Sequence, residues 1–297
     1  MVDDGSEEEP RVRQANITFI RLKKNRGPAV ARNRGAARAR GEFLVFLDCD
    51  VEVFPDTLAQ IEKIYREDPD VVALTGIWVK EQKSKAFFPN FKALRDWSYW
   101  IHERDTSGYY FLFSTRIASI KKSVFQRLGG FDEYYPAPLI EDIELTYRIA
   151  RRYAIIFAPH VRVRHEFEDF WPVAKKYFWR TYYWARLYST RKKFDPVATT
   201  IWETIAAITG VGAIGMLGII VLAYIIHFGP MQYLWGVWAA VTMAHILKLR
   251  KFLGFVYREK GLSFAIRSLG MGIVLYSFIL AGAAFFQLHQ LLGKRKL

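Results

Sequence analysis

Three apolar windows in the last third of the chain, at 201–228, 231–247 and 268–292, limit the folds open to it. A helix needs about 20 apolar residues to cross a hydrocarbon core. The first and third windows exceed that length and the second falls just short of it. Glu203 is the single formal charge inside them, and it lies at an edge. Buried helices of soluble proteins are seldom so long, so the windows read as membrane spans. The expected organisation is a soluble domain over residues 1–170, an interfacial segment over 171–197, and a membrane domain of about three helices over 198–297.

Lys and Arg near the span ends set the expected orientation. Arg191, Lys192 and Lys193 precede the first span, and Lys248, Arg250, Lys251, Arg258 and Lys260 follow the second. The turn at 228–230 between those spans has none, so both basic flanks are expected on the cytoplasmic side of a multi-pass inner or plasma membrane. Lys294, Arg295 and Lys296 would then lie on the far side, against the rule.

The net charge of +14 raises nucleic acid as a partner, but the pattern of the cations speaks against it. Between 171 and 193, Lys and Arg alternate with Trp171, Tyr177, Phe178, Trp179, Tyr182, Tyr183, Trp184 and Tyr188. Rings beside cations suit a lipid headgroup layer, and the other reading is a basic helix packed on the domain. The single cysteine, Cys49, excludes an intrachain disulfide, in keeping with a reducing cytoplasm. The acidic N-terminus does not have the pattern of a secretory signal peptide.

In the soluble half, 17–22 reads as a short strand, 28–40 as a helix stopped by Gly41, and 42–47 as a strand buried on both faces. Residues 56–67 read as a helix beginning at Asp56, and 71–74 as another strand. Alternating strands and helices predict an α/β domain with a mostly parallel sheet. Ligands in such sheets bind beyond the carboxyl ends of the strands, where Asp48 and Asp50 fall. Two carboxylates one residue apart raise each other's pKa unless a cation neutralises them, and oxygen ligands of this kind suit Mg²⁺ or Mn²⁺ bound to phosphate. Alone, the pattern is also that of a solvated turn.

Its surroundings decide the reading. The run GPAVARNRGAARARGEFLVFLDCDVEVFPDTL, the turn VDDGS before it, and GGFDE at 129–133 followed by EDIELTYRI at 141–149 resemble the motifs of family 2 glycosyltransferases, in the family's order. The resemblance covers roughly residues 2–166. It implies a Rossmann-like GT-A fold, a nucleotide-diphosphate sugar donor and a divalent metal, Mg²⁺ or Mn²⁺. By the same resemblance Asp3 and Asp4 contact the base and ribose, Arg32 and Asn33 line that pocket, Asp48 faces the ribose, and Asp50 holds the metal beside the diphosphate. Asp142 takes the place of the catalytic base, with Glu141 helping to position it. His165, after the alternating run VRVRHEF, falls where relatives carry a metal-side histidine, so Asp50, Asp48 and His165 form the expected metal set.

An inverting transfer needs a carboxylate to take the proton of the acceptor hydroxyl as it attacks the anomeric carbon. The metal stabilises the departing diphosphate as a Lewis acid. Trp97, Trp100 and His102 fit either an acceptor groove or core packing. A site above a membrane collar implies a lipid-linked or polysaccharide acceptor at the cytoplasmic leaflet, and a role in the cell envelope. The Gln-x-x-Arg-Trp motif of processive synthases is absent from FWRTYYW, so a non-processive enzyme is expected. The acidic turn VDDGS lies at the start of the chain, where the family has a first strand and helix before it. The expectation is therefore an N-terminally truncated GT-A domain, and the alternative a non-catalytic membrane protein derived from such an enzyme.

Overall fold

The computed structural model describes residues 1–8, 10, 16–104, 106–135, 139–194, 200–227 and 229–293. The tail cations Lys294, Arg295 and Lys296, Phe228 of the expected turn, and 195–197 of the expected interfacial segment lie outside them.

The chain forms two compact units: Met1–Lys83 with Asp105–Glu166, and Ser84–Arg104 with Phe167–Leu297. The first unit begins with β1 (Val2–Asp3) and β2 (Ile20–Arg21), a parallel pair. After it come α1 (Pro28–Arg38), β3 (Phe43–Phe46), β4 (Val51–Val53), α2 (Thr57–Glu67) and β5 (Ala73–Trp78). The helix α3 (Phe87–His102) belongs to the second unit, after which the chain returns with β6 (Ala118–Lys121), α4 (Lys122–Arg127), α5 (Glu141–Ile149) and β7 (Ile155–His165). The first unit ends at Glu166, and the segment Ser84–Arg104 leaves it earlier.

The larger sheet runs in the order β3-β6-β5-β7-β4. Only β5 and β7 pair in parallel there; β3 with β6, β5 with β6, and β4 with β7 are antiparallel. The α/β class stands, and the sheet is mixed rather than mostly parallel. The apolar run at 43–46 shows burial but not strand direction, and β6 lies between β3 and β5 with the opposite sense. Beneath the strand ends, Phe46 packs edge-on to Phe131 with centroids 5.1 Å apart and lies 5.2 Å from Phe125.

The second unit contains α3, α6 (Phe170–Arg191), α7 (Ile201–Ile225), α8 (Met231–Lys260) and α9 (Leu262–Leu291). Its main core joins Phe88, Phe91 and Leu94 of α3, Val173 and Ala174 of α6, Phe252, Phe255 and Val256 of α8, and Ala265 and Leu275 of α9. Trp97 stacks on Phe255 at 5.3 Å, His102 meets the same ring at 5.2 Å, and Trp100 is buried, so these aromatics serve packing. Buried Arg95 is held by Glu203 at 3.0 Å, the Tyr276 hydroxyl at 3.1 Å and Glu103 at 3.3 Å. The single charge of the first apolar window thus partners the buried guanidinium, as a buried charge requires.

Among the described residues, α7 and α9 are long and apolar enough to cross a membrane. Their apolar windows are only 28% and 22% buried, unlike core helices of a soluble protein. The second expected span, 231–247, lies in the continuous helix α8, which runs on into Lys248, Arg250, Lys251, Arg258, Glu259 and Lys260. The aromatics of α6 divide between two environments. Trp171 and Trp179 are exposed, while Tyr182 is buried against Phe285, Phe286 and His289 of α9. The approach is closest at Gly282, where a Cβ would stand 2.3 Å from the Phe178 carbonyl oxygen.

Candidate active site

Four short segments of the α/β unit carry the expected site residues, and α1 links three of them. Pro28 opens the helix with a φ suited to its first turn, and Gly27 precedes it at φ 92°. The amides of Arg26 and Gly27 donate to the two oxygens of Asp4, at 2.9 and 2.7 Å. Asp4 therefore holds the entry to α1, where a negative charge is favoured by the helix dipole. Asp3 is buried beside it. Its Oδ1 accepts from the Ser6 hydroxyl at 2.6 Å and the Ser6 amide at 3.1 Å, and Arg21 lies 3.3 Å from Oδ2. The Ser6 hydroxyl does most to hold the Asp3 carboxyl below its ordinary value, against burial, with the Ser6 amide and Arg21 adding to the effect.

Arg32 and Asn33 follow each other on α1 and grip different motifs. Asn33 donates from Nδ2 to the Phe131 carbonyl and accepts at Oδ1 from the Phe131 amide, both at 2.9 Å. Its Nδ2 also reaches Glu133 at 3.1 Å. Gly130, at φ 73°, must be glycine there, because a Cβ would come within 2.6 Å of the Asn33 Oδ1. The motif GGFDE is thus a tight turn fixed by Asn33, with Phe131 as its buried anchor.

Arg32 Nη2 donates to Asp48 Oδ1 and Nη1 to Glu141 Oε1, each at 2.7 Å. Burial works against the Arg32 charge, but Asp48 and then Glu141 outweigh it and raise the guanidinium pKa. Glu141 is buried, and its Oε2 accepts from the Leu139 amide at 2.9 Å. Asp142 follows half-buried in the first turn of α5. Three further bonds fix that helix. Thr146 donates to the Asp142 carbonyl at 2.7 Å and accepts from the Phe113 amide at 2.9 Å, while Arg148 donates to the Leu128 carbonyl at 2.5 Å.

The run Asp48-Cys49-Asp50 leaves the sheet at the end of β3, with Cys49 and Asp50 exposed. Val51 pairs with His165 across β4 and β7, which brings the His165 Nε2 to 3.5 Å from Asp50 Oδ2. That hydrogen bond is the main reason the Asp50 carboxyl lies below its ordinary value; burial opposes it, and the charges of His165 and Arg116 reinforce it. Of the expected metal set, the structure joins Asp50 and His165, while Asp48 is turned to Arg32. Among the described residues no three His, Cys, Asp or Glu side chains converge on one point. An exposed carboxylate beside a buried imidazole nevertheless fits a Mg²⁺ or Mn²⁺ ion that would take its other oxygens from water and phosphate.

Arg116, before β6, is a site residue that the motif reading misses. Its guanidinium lies 4.8 Å over the Trp78 ring and its charge acts on Asp50. No local pattern marks it, because Arg116 is distant in sequence from Asp50 and only the fold brings its charge near.

Residues 1–128 match the model of Glycosyl transferase family 2. Over that stretch the chain is similar to family 2 glycosyltransferases. The unit around it is of the α/β class expected from the sequence, with a mixed sheet. Among curated relatives, the glucosyl-dolichyl phosphate glucuronosyltransferase of Haloferax volcanii is 26% identical over 61% of this chain and 64% of its own length. An uncharacterized glycosyltransferase of Haemophilus influenzae is 34% identical over 44% of this chain and 45% of its own. The chain thus spans less than two thirds of these relatives. A solved structure, the mannosyltransferase PcManGT of Pyrobaculum calidifontis in complex with GDP-Man and Mn²⁺, aligns with a TM-score of 0.48 at 17% identity, over 91% of this chain and 69% of that one.

Proposed function

We propose that the chain is a membrane-anchored inverting glycosyltransferase. It moves a sugar from a nucleotide-diphosphate sugar to a lipid-linked or polysaccharide acceptor at the cytoplasmic leaflet, one sugar at a time. The observation that carries this reading is the position of Arg32. Its two 2.7 Å ion pairs draw the Asp48-Cys49-Asp50 segment and the Glu141-Asp142 segment to one point, although 93 residues separate Asp48 from Glu141. Donor-side and acceptor-side carboxylates belong to one site.

In that site Asp142 takes the proton from the attacking hydroxyl. Asp50 and His165 would hold a divalent cation, which when bound would supply Lewis-acid stabilisation to the departing diphosphate. Asp48, exposed enough to meet a ligand, accepts from the ribose. Asp3 and Asp4 shape the turn on the nucleotide side rather than presenting free carboxylates. The exposed apolar faces of α7 and α9 support the membrane anchor, and the dolichyl phosphate relative supports a lipid-linked acceptor.

The test is turnover by the purified full chain with Mn²⁺, a panel of nucleotide sugars and lipid phosphates, and the variants Asp50→Ala and Asp142→Asn. Loss of about 100-fold or more in kcat is expected in both. A wild type inert toward the whole panel defeats the reading, and an active Asp142→Asn removes the base assignment.

A further inference from the structure

One cation serves two carboxylates that have different work to do. Asp48 keeps 27% of its side-chain surface open, Glu141 only 3%, and Arg32 between them 14%. A ligand entering the site therefore meets Asp48 first and does not reach Glu141. The guanidinium is planar and rigid, with its donors in a fixed fork, so turning toward one partner changes its geometry at the other. Glu141 passes such a change on. Its second oxygen holds the Leu139 amide, which fixes the turn that opens α5, and Asp142 is the next residue.

We propose that Arg32 is a positioning residue that couples nucleotide occupancy at Asp48 to the setting of Asp142. When a ribose hydroxyl donates to Asp48, the carboxylate's hold on the Arg32 Nη2 weakens. The guanidinium then settles on Glu141 and tightens the first turn of α5. Asn33, one residue along, takes no part in this exchange, because it is bonded to the Phe131 backbone and Glu133 and to neither of the carboxylates that Arg32 holds. The proposal rests on the nucleotide-sugar reading above. A purely structural Arg32, present only to neutralise buried Glu141, would act the same with and without nucleotide.

The experiment uses the full chain in detergent with UDP or GDP and Mn²⁺ as probes. Binding is measured by calorimetry, and amide hydrogen exchange is followed over residues 139–144. In the wild type, the nucleotide that binds should slow exchange there about tenfold. Arg32→Lys keeps the charge but cannot fork between two carboxylates; it should bind the same nucleotide within about tenfold and lose the exchange response. Asp48→Asn removes one competitor for Arg32, so residues 139–144 should be slow before nucleotide is added and change little afterwards. Wild-type binding with unchanged exchange, or an Arg32→Lys response equal to wild type, overturns the coupling. Failure of both nucleotides to bind the wild type overturns the nucleotide-sugar reading and the coupling with it.

Discussion

Asp3 shows how much a single carboxylate can contribute away from the chemistry. Its folded pKa is depressed, chiefly by the Ser6 hydroxyl, so its stabilisation is present above the ordinary carboxylate value of 3.8 and fades as pH falls through the lower folded value. Asp3→Asn should therefore unfold at a lower temperature than wild type at neutral pH, and the gap should close below 3.8. Thermal melts over that range decide it; a gap independent of pH would mean that the Asp3 charge contributes nothing. The sequence made the site's residue types legible, because Asp48, Asp50 and Asp142 lie in motifs with strong local signatures. It did not show who holds whom. The pairing of Arg32 with both Asp48 and Glu141, and the cap that Asp4 forms on α1, depend on where α1 lies against the strand ends. Neighbouring residues do not encode that placement.

At the scale of elements, hydrophobic runs predicted β3, α1 and α2 within a few residues, because each is buried in a pattern that its own sequence carries. The strand β6 and the short β4 went unread. ASIK and VEV have no distinctive period, and they are strands because β3, β5 and β7 supply their hydrogen bonds. The aromatic helix α6 was legible as a helix but not as the partner of α9, since its rings suit lipid and protein equally well. Gly282 is the point that tests this partnership. Gly282→Leu places side-chain atoms against the Phe178 backbone, where flexible side chains cannot relieve the clash. Overpacking of this kind costs about 1–3 kcal/mol, and α6 should part from α9. Limited trypsin digestion should then cut faster at Arg180 and Arg186; unchanged cleavage would show that α6 has no need of that contact.

On the scale of the whole molecule, neither unit is one continuous stretch of chain. The excursion Ser84–Arg104 gives α3 to the helical unit, where Phe88, Phe91 and Leu94 join its core. A fragment ending at residue 170 would leave those side chains without Phe252, Phe255 and Leu275. It should aggregate, and a monodisperse peak on size exclusion would refute that expectation. The helix α8 has 30 residues and is about 45 Å long, more than a hydrocarbon core of about 30 Å can contain. Its charged last third carries the α8 residues of the main helical core.

The chain's sole thiol, Cys49, is exposed between Asp48 and Asp50. The protein is thus its own single-site probe: one maleimide fluorophore or spin label, attached without mutagenesis, reports from the middle of the candidate site. Alkylation of unlabelled protein should slow when a nucleotide and Mn²⁺ cover this segment, so the rate of a simple thiol reaction reads donor occupancy directly.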